Sequence, residues 1–378
     1  MSKSDYRRRR LRRFKRTLSR HLPTFIALVC IVLVSGGLIF SIYRFVLHPK
    51  ASSAGLPPAS GSIVQTAEAA SKSTAAGHTA EREASASQIP LDETGRLIAQ
   101  ADRIALGYDY DKATALLADS GLDTSDGRIP DAIARYEEAK AALVPVDVTQ
   151  TTHVFFHSLI MDTSLAFDGD ADAAGYNSVM TTREEFLKIL EALYARDYVL
   201  VRLHDIAAPA ADSEGNVSFA WGTILLPPGK KPLVMSQDDV CYYPYMDGDG
   251  FASRIVIGED GKPTCEMTLA DGTVSTGSYD LIPILEDFIQ EHPDFSYKGA
   301  RAVIAFTGYE GILGYRTSST YSGSPTYEED RAQAAAVAQC LRDNGWELAS
   351  HSWGHLQLGV SADSETGFVI SDDRFVAD

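Results

Sequence analysis

From residue 151 onward the apolar positions switch between two periods. The short runs "THVFFHS", "YVLVRL", "KPLVMS", "RAVIAF" and "WELAS" read as strands. Between them, "TTREEFLKILEALYARD", "YDLIPILEDFIQEH" and "YEEDRAQAAAVAQCLRDNG" repeat apolar residues at three- and four-residue spacing, as helices with one buried face do. Thr182 and Glu185, three apart, predict a capping box at the start of the first of these helices. Apolar strands separated by helices of this length predict an α/β fold with a parallel sheet or barrel over residues 150–378. Within it, "EDGK" and "ADGT" punctuate polar-alternating runs and predict an inserted hairpin at 251–277.

Upstream, the patterns change. Leu97, Ile98, Ala101, Ile104 and Ala105 form one helical stripe; Tyr110, Ala113, Leu116 and Leu117 form a second; Ile133, Tyr136 and Leu143 form a third. Residues 92–146 therefore read as a small helical spacer. Residues 44–91 show no apolar period, and Ala, Ser, Thr, Gly and Pro fill 28 of the 40 positions from 51 to 90. Such a stretch cannot bury enough surface to fold and predicts a linker. The segment 22–43, "LPTFIALVCIVLVSGGLIFSIY", carries no charge and has no polar face. Its length as a helix, about 33 Å, matches a bilayer core. Ten basic residues precede it in the tail 1–21, which predicts a single-pass anchor with a cytoplasmic N-terminus and the remainder outside the cell. A cleaved signal peptide fits less well, because the apolar run is too long and the basic region too extended.

Charge shows the same division. The first 50 residues hold twelve basic residues and one acid, whereas the rest hold 22 basic and 50 acidic residues. So acidic a domain excludes nucleic acid as a partner, since phosphate binding needs clustered Lys and Arg. Of the four cysteines, Cys30 falls in the predicted span, and Cys241 and Cys265 could either bridge the inserted segment or stay apart.

Two histidine pairs share a spacing of four. His153 and His157 flank strand-forming residues, and about 13 Å of strand separates them, too far to reach one ion. His351 and His355 come just after a strand end, where Ser352 and Gly354 allow a helical turn that would put both imidazoles on one face. Asp238 and Asp239 likewise come directly after "KPLVMSQ". In α/β folds functional groups collect where strands end, so two carboxylates and two imidazoles are expected on one rim. As neighbours on extended backbone, Asp238 and Asp239 point apart: one can bind a metal while the other acts as a base. An acidic turn with no chemistry is the alternative reading. Asp168, Asp170 and Asp172 have the spacing of a calcium loop, but position twelve is Val179, so a solvated loop is expected.

"PLVMSQDDV" together with the later "WELASHSWGH" resembles the polysaccharide deacetylases, or NodB-homology domains, whose first motif is an apolar strand ending in Asp-Asp and whose second is His-Ser/Thr-x-x-His. The resemblance covers roughly residues 150–360. It implies a distorted (β/α) barrel. It also implies Asp238 as general base, and Asp239, His351 and His355 as ligands of a divalent metal, usually zinc. The activity implied is removal of N- or O-linked acetyl groups from an extracellular or cell-wall polysaccharide. Trp353, Tyr242, Tyr243 and Tyr245 could stack on sugar rings, and core packing is the alternative for each. The chain departs from the family at Ser236-Gln237, where Thr-Phe is usual, and by the long insert between Asp239 and His351. The family's later arginine-bearing and Leu-x-His motifs have no counterpart in the 23 residues after His355, so a shortened C-terminus without the general acid, and hence a poor catalyst, is expected; should the chain prove fully active, His157 or His204 would be the first residues to test as that acid. A rival reading is a degenerate domain of the same fold that grips glycan without cleaving it. A zinc peptidase is disfavoured, because HSWGH lacks the glutamate that supplies the base in H-E-x-x-H.

Overall fold

A computed structural model of the chain describes residues 92–125 and 127–355. These all belong to one compact unit, Ala80–Asp378. The basic tail, the predicted span 22–43 and the linker 44–91 lie outside the described residues. Among the described residues no helix is long and apolar enough to cross a membrane.

The first three helices are set by their caps. Asp92 accepts from Gly95 N at 2.8 Å and opens the helix Glu93–Leu106, and Asp109 caps Tyr110–Ala118 in the same way. With Arg128–Ala141 they close a small core around Ile98, Ala101, Leu117, Ile129 and Tyr136. Tyr136 can lie inside because its hydroxyl donates to Asp102 at 2.6 Å. This helical segment is fastened to the rest by Arg103, which donates to Gln290 O at 2.8 Å, and by Tyr108, whose hydroxyl donates to Asp294 O at 2.8 Å.

Twelve strands come next among the described residues. The first six are β1 (Val144–Pro145), β2 (Thr152–Phe156), β3 (Tyr198–Leu200), β4 (Ala207–Ala211), β5 (Val217–Trp221) and β6 (Leu225–Leu226). After them come β7 (Lys231–Gln237), β8 (Ala252–Ile257), β9 (Pro263–Thr268), β10 (Val274–Gly277), β11 (Val303–Phe306) and β12 (Glu347–Ser350). β2, β3, β7, β11 and β12 form one sheet in which every pairing is parallel. β7 is its axis: β2 pairs along Leu233–Gln237, β3 along Lys231–Leu233, and β11 joins at Ser236 and Gln237. From Pro232 to Gln237 every residue of β7 is buried, which explains its unbroken apolar run. On one face the helices Arg183–Tyr194, Leu281–Glu291 and Tyr327–Asp343 bury Phe186, Leu190, Leu285, Phe288, Val337 and Leu341. The capping box of Thr182 and Glu185 forms. On the other face Val199, Val234 and Val303 meet Ile206, Ile224, Leu226 and Tyr108. Among the described residues β2 pairs only with β7 and β12 only with β11, so the sheet stays open.

Two excursions leave this sheet. Residues 252–277 are a three-stranded antiparallel meander, β8-β9-β10, rather than a single hairpin, because both "EDGK" and "ADGT" turn the chain. Its Cys265 side chain is buried, and Cys241, Cys265 and Cys340 are all free thiols. The second excursion, the hairpin β4–β5, has no counterpart among the strands expected from the sequence.

Candidate metal centre

β7 hands the chain directly to the acidic pair. Asp238 N donates to Phe156 O at 2.8 Å, continuing the ladder to β2. The next residue breaks it: Asp239 has φ 57°, in the left-handed region that aspartate tolerates better than most residues. Tyr242, at φ 50°, completes the reversal. Arg316 holds the turn open by donating to Cys241 O at 3.2 Å and Tyr242 O at 2.6 Å. Beneath it, fully buried Asp280 receives Gln237 Nε2 at 2.8 Å, the Tyr242 hydroxyl at 2.6 Å and the amides of Leu159 and Leu281. Burial pushes the Asp280 carboxyl up, and these four donors oppose the shift. Gln237 Oε1 is buried without a partner, one of three such side-chain atoms among the described residues.

The backbone reversal aims Asp239 along the rim. Its Oδ1 accepts from the hydroxyls of Thr307 and, at 3.2 Å, Tyr243. Its Oδ2 lies 3.7 Å from His355 Nε2, and the His351 and His355 ring centroids are 5.2 Å apart. One ligand atom from each of Asp239, His351 and His355 falls within 4.8 Å of the others. Two ligands about 2.1 Å from a tetrahedral zinc stand about 3.4 Å apart, so the 3.7 Å contact fits. Two imidazoles and one carboxylate are also a donor set suited to that ion. The structure thus brings the three sequence-predicted ligands together. Asp238, half-buried, stands next to the cluster without belonging to it.

The histidine loop reaches this geometry without the helical turn expected from its spacing. His351 N donates to Phe306 O at 2.7 Å, and the chain then bends, with Ser352 at φ 67° and His355 at φ 52°. Gly308 and Tyr309 donate their amides to Ser352 O at 3.3 Å and Trp353 O at 2.9 Å, so pairing with the loop after β11 outcompetes a helix. A Cβ on Gly308 would stand 2.8 Å from Trp353 Cδ1, so any side chain there must displace the indole.

An aromatic wall borders the cluster. Tyr243 stacks on Tyr245 at 5.5 Å, lies 5.7 Å from Tyr309, and Tyr309 meets the exposed Trp353 edge-on at 6.5 Å. Burial pushes the Tyr245 hydroxyl up to about 12 and raises Tyr243 and Tyr309 as well, so all three are neutral donors at physiological pH. Beside Trp353 a groove of about 430 Å³ opens along Phe306, Leu348 and Ser350. Tyr242 is a correction to the sequence reading: it is 2% exposed and bound to Asp280, so it offers no face to a sugar. Tyr309, Thr307 and Arg316 were missed; "FTGY" just after the β11 run was the available signal.

The two candidate acids separate. His157 comes just after β2 on the same rim, with Nδ1 donating to Val179 O at 3.2 Å. His204 pairs with Glu347, at the start of β12 and away from His351 at its end, so it is not placed to act at the cluster. The acidic loop at 168–172 meets Asp249: Asp170, Asp172 and Asp249 also bring ligand atoms within 4.8 Å of one another. Burial, then the charges of Asp170, Asp172 and Asp168, raise Asp249. Compared with known proteins, the chain matches no family model, no curated protein and no solved structure.

Proposed function

We propose that the protein is a membrane-tethered, metal-dependent deacetylase of an extracellular or cell-wall polysaccharide, with its parallel sheet as part of a distorted (β/α) barrel. The observation that carries this reading is the convergence of Asp239, His351 and His355 beside Asp238 at the strand ends. A divalent cation held there, most simply zinc, would polarise an acetyl carbonyl and acidify a water molecule. The residues of the chain account for the rest. Thr307 and Tyr243 hold Asp239 by one oxygen and leave the other facing His355. Asp238, outside the cluster, takes the proton of the attacking water as general base. The water oxygen joins the acyl carbon, the carbon–nitrogen or carbon–oxygen bond to the sugar breaks, and the leaving atom takes a proton. His157 is the histidine on this rim that the cluster does not use, and it is the first residue to test as that acid. Tyr243, Tyr245, Tyr309 and Trp353 offer ring faces and hydroxyls to a sugar chain.

The test is acetate release from N-acetylglucosamine oligomers and from O-acetylated polysaccharide by the full chain. Asp238→Asn should lower release by about 10²–10⁴ with metal content unchanged. Release that survives this substitution contradicts the assignment of the base. Tight binding of the oligomers with no release by the wild type would favour the glycan-binding reading.

A further inference from the structure

The hairpin β4–β5 presents apolar side chains that neither the core nor the site uses. Val217, Phe219 and Trp221 are 69%, 76% and 68% exposed, and at two-residue spacing on one strand they share a face. Ala211, Pro209 and Ala207 stand opposite them in register, so the whole face is uncharged. A continuous apolar face rising from a strongly acidic domain marks an interaction surface.

Its place in the fold narrows the occupant. The hairpin leaves at Ile206 and returns at Gly222, whose amide donates to Ile206 O at 2.7 Å. The preceding turn, Leu203–Ile206, lies against the start of β12, where Leu203 N donates to Glu347 Oε2 at 2.7 Å. The helical segment that begins at Asp92 docks at the same end, with Lys298 N donating to Gly107 O at 2.7 Å shortly before β11. The hairpin and the C-terminal end of the first helix, at Gly107, therefore share the end of the domain where β11 and β12 start, while Asp239, His351 and His355 lie where those strands finish.

We propose that this face rests on the surface of the lipid bilayer that anchors the chain, with Phe219 and Trp221 seated among the headgroups. The inference rests on the membrane tether in the functional reading. Tryptophan favours that depth, where its ring is in apolar surroundings and its N–H is solvated. Ninety-one residues precede the helical segment and include the uncharged 22-residue stretch. A tether of that kind keeps the domain at high effective concentration near the lipid, so three side chains suffice where they would not bind unaided. Asp212 and Glu214 at the hairpin tip disfavour an anionic surface, so the fitting lipid is zwitterionic. Docked this way, the metal rim faces away from the bilayer and toward the polymer.

The experiment uses the full chain reconstituted in phosphatidylcholine vesicles with brominated acyl chains, compared with Trp221→Phe. Trp221, Trp346 and Trp353 are the only tryptophans; Trp346 is buried and Trp353 is on the rim, so the difference in emission reports Trp221. Brominated lipid should remove most of the Trp221 emission. Val217→Ser combined with Phe219→Ser should restore it while the chain still floats with the vesicles. A floating chain with unquenched Trp221 overturns the docking and leaves the tether standing, and a chain that does not float overturns both. A Trp221 emission shift on adding chitin oligosaccharide, or on dimerisation in detergent, with no quenching by lipid, would put a glycan or a second copy on this face and refute the proposal.

Discussion

At the scale of single residues, the site depends on a group that never touches it. Asp280 ties Gln237 and Tyr242, the two ends of the turn that displays Asp239, to one buried carboxylate. Asp280→Asn would set an amide N–H₂ against at least one of those donors. It should cost about 1–3 kcal/mol in a denaturant melt, and an unchanged midpoint would deny the clamp its role. The Asp249 carboxyl is raised too, by burial and then by the charges of Asp170, Asp172 and Asp168, although the Tyr176 hydroxyl donates to it at 3.1 Å. A folded-state value above the unfolded one contributes stability that is complete below the unfolded value and is lost as pH rises through the folded one. Asp249→Asn should therefore gain thermal stability relative to wild type as the pH is raised from acid to neutral. A constant difference across that range would contradict the shift.

At the scale of elements, the strand–helix alternation was legible because burial on both faces left Pro232–Met235 of β7 continuously apolar and left each helix with one stripe. The three candidate ligands were legible for a similar reason: strands that end on one rim bring their trailing loops together there. Three features were not. The His351–His355 spacing suggested a turn of helix, but the amides of Gly308 and Tyr309 captured the loop, and tertiary pairing of that kind leaves no local signature. Tyr242 reads like its neighbours Tyr243 and Tyr245, and only the left-handed turn at Asp239 and Tyr242 sends it into the core. "VSFAW" alternates as a half-buried strand should, yet all five residues are exposed, Val217, Phe219 and Trp221 included. Gly308 supplies the test at this scale. In Gly308→Val the side chain would displace Trp353, shifting its emission and weakening metal binding at His355; identical spectra and affinity would show that the close approach is dispensable.

For the whole molecule, the proposed arrangement is an anchor, a linker and a domain whose chemistry sits at one end. Protease added to intact cells should digest the acidic domain, and full protection would contradict the predicted orientation. The central claim is that Asp239, His351 and His355 hold one divalent metal ion, and elemental analysis of the purified full chain tests it most directly. Wild type should carry close to one zinc per chain. His351→Ala combined with His355→Ala should lose it, and Asp238→Asn should keep it. Equal metal content in the double-histidine variant and the wild type would contradict the claim.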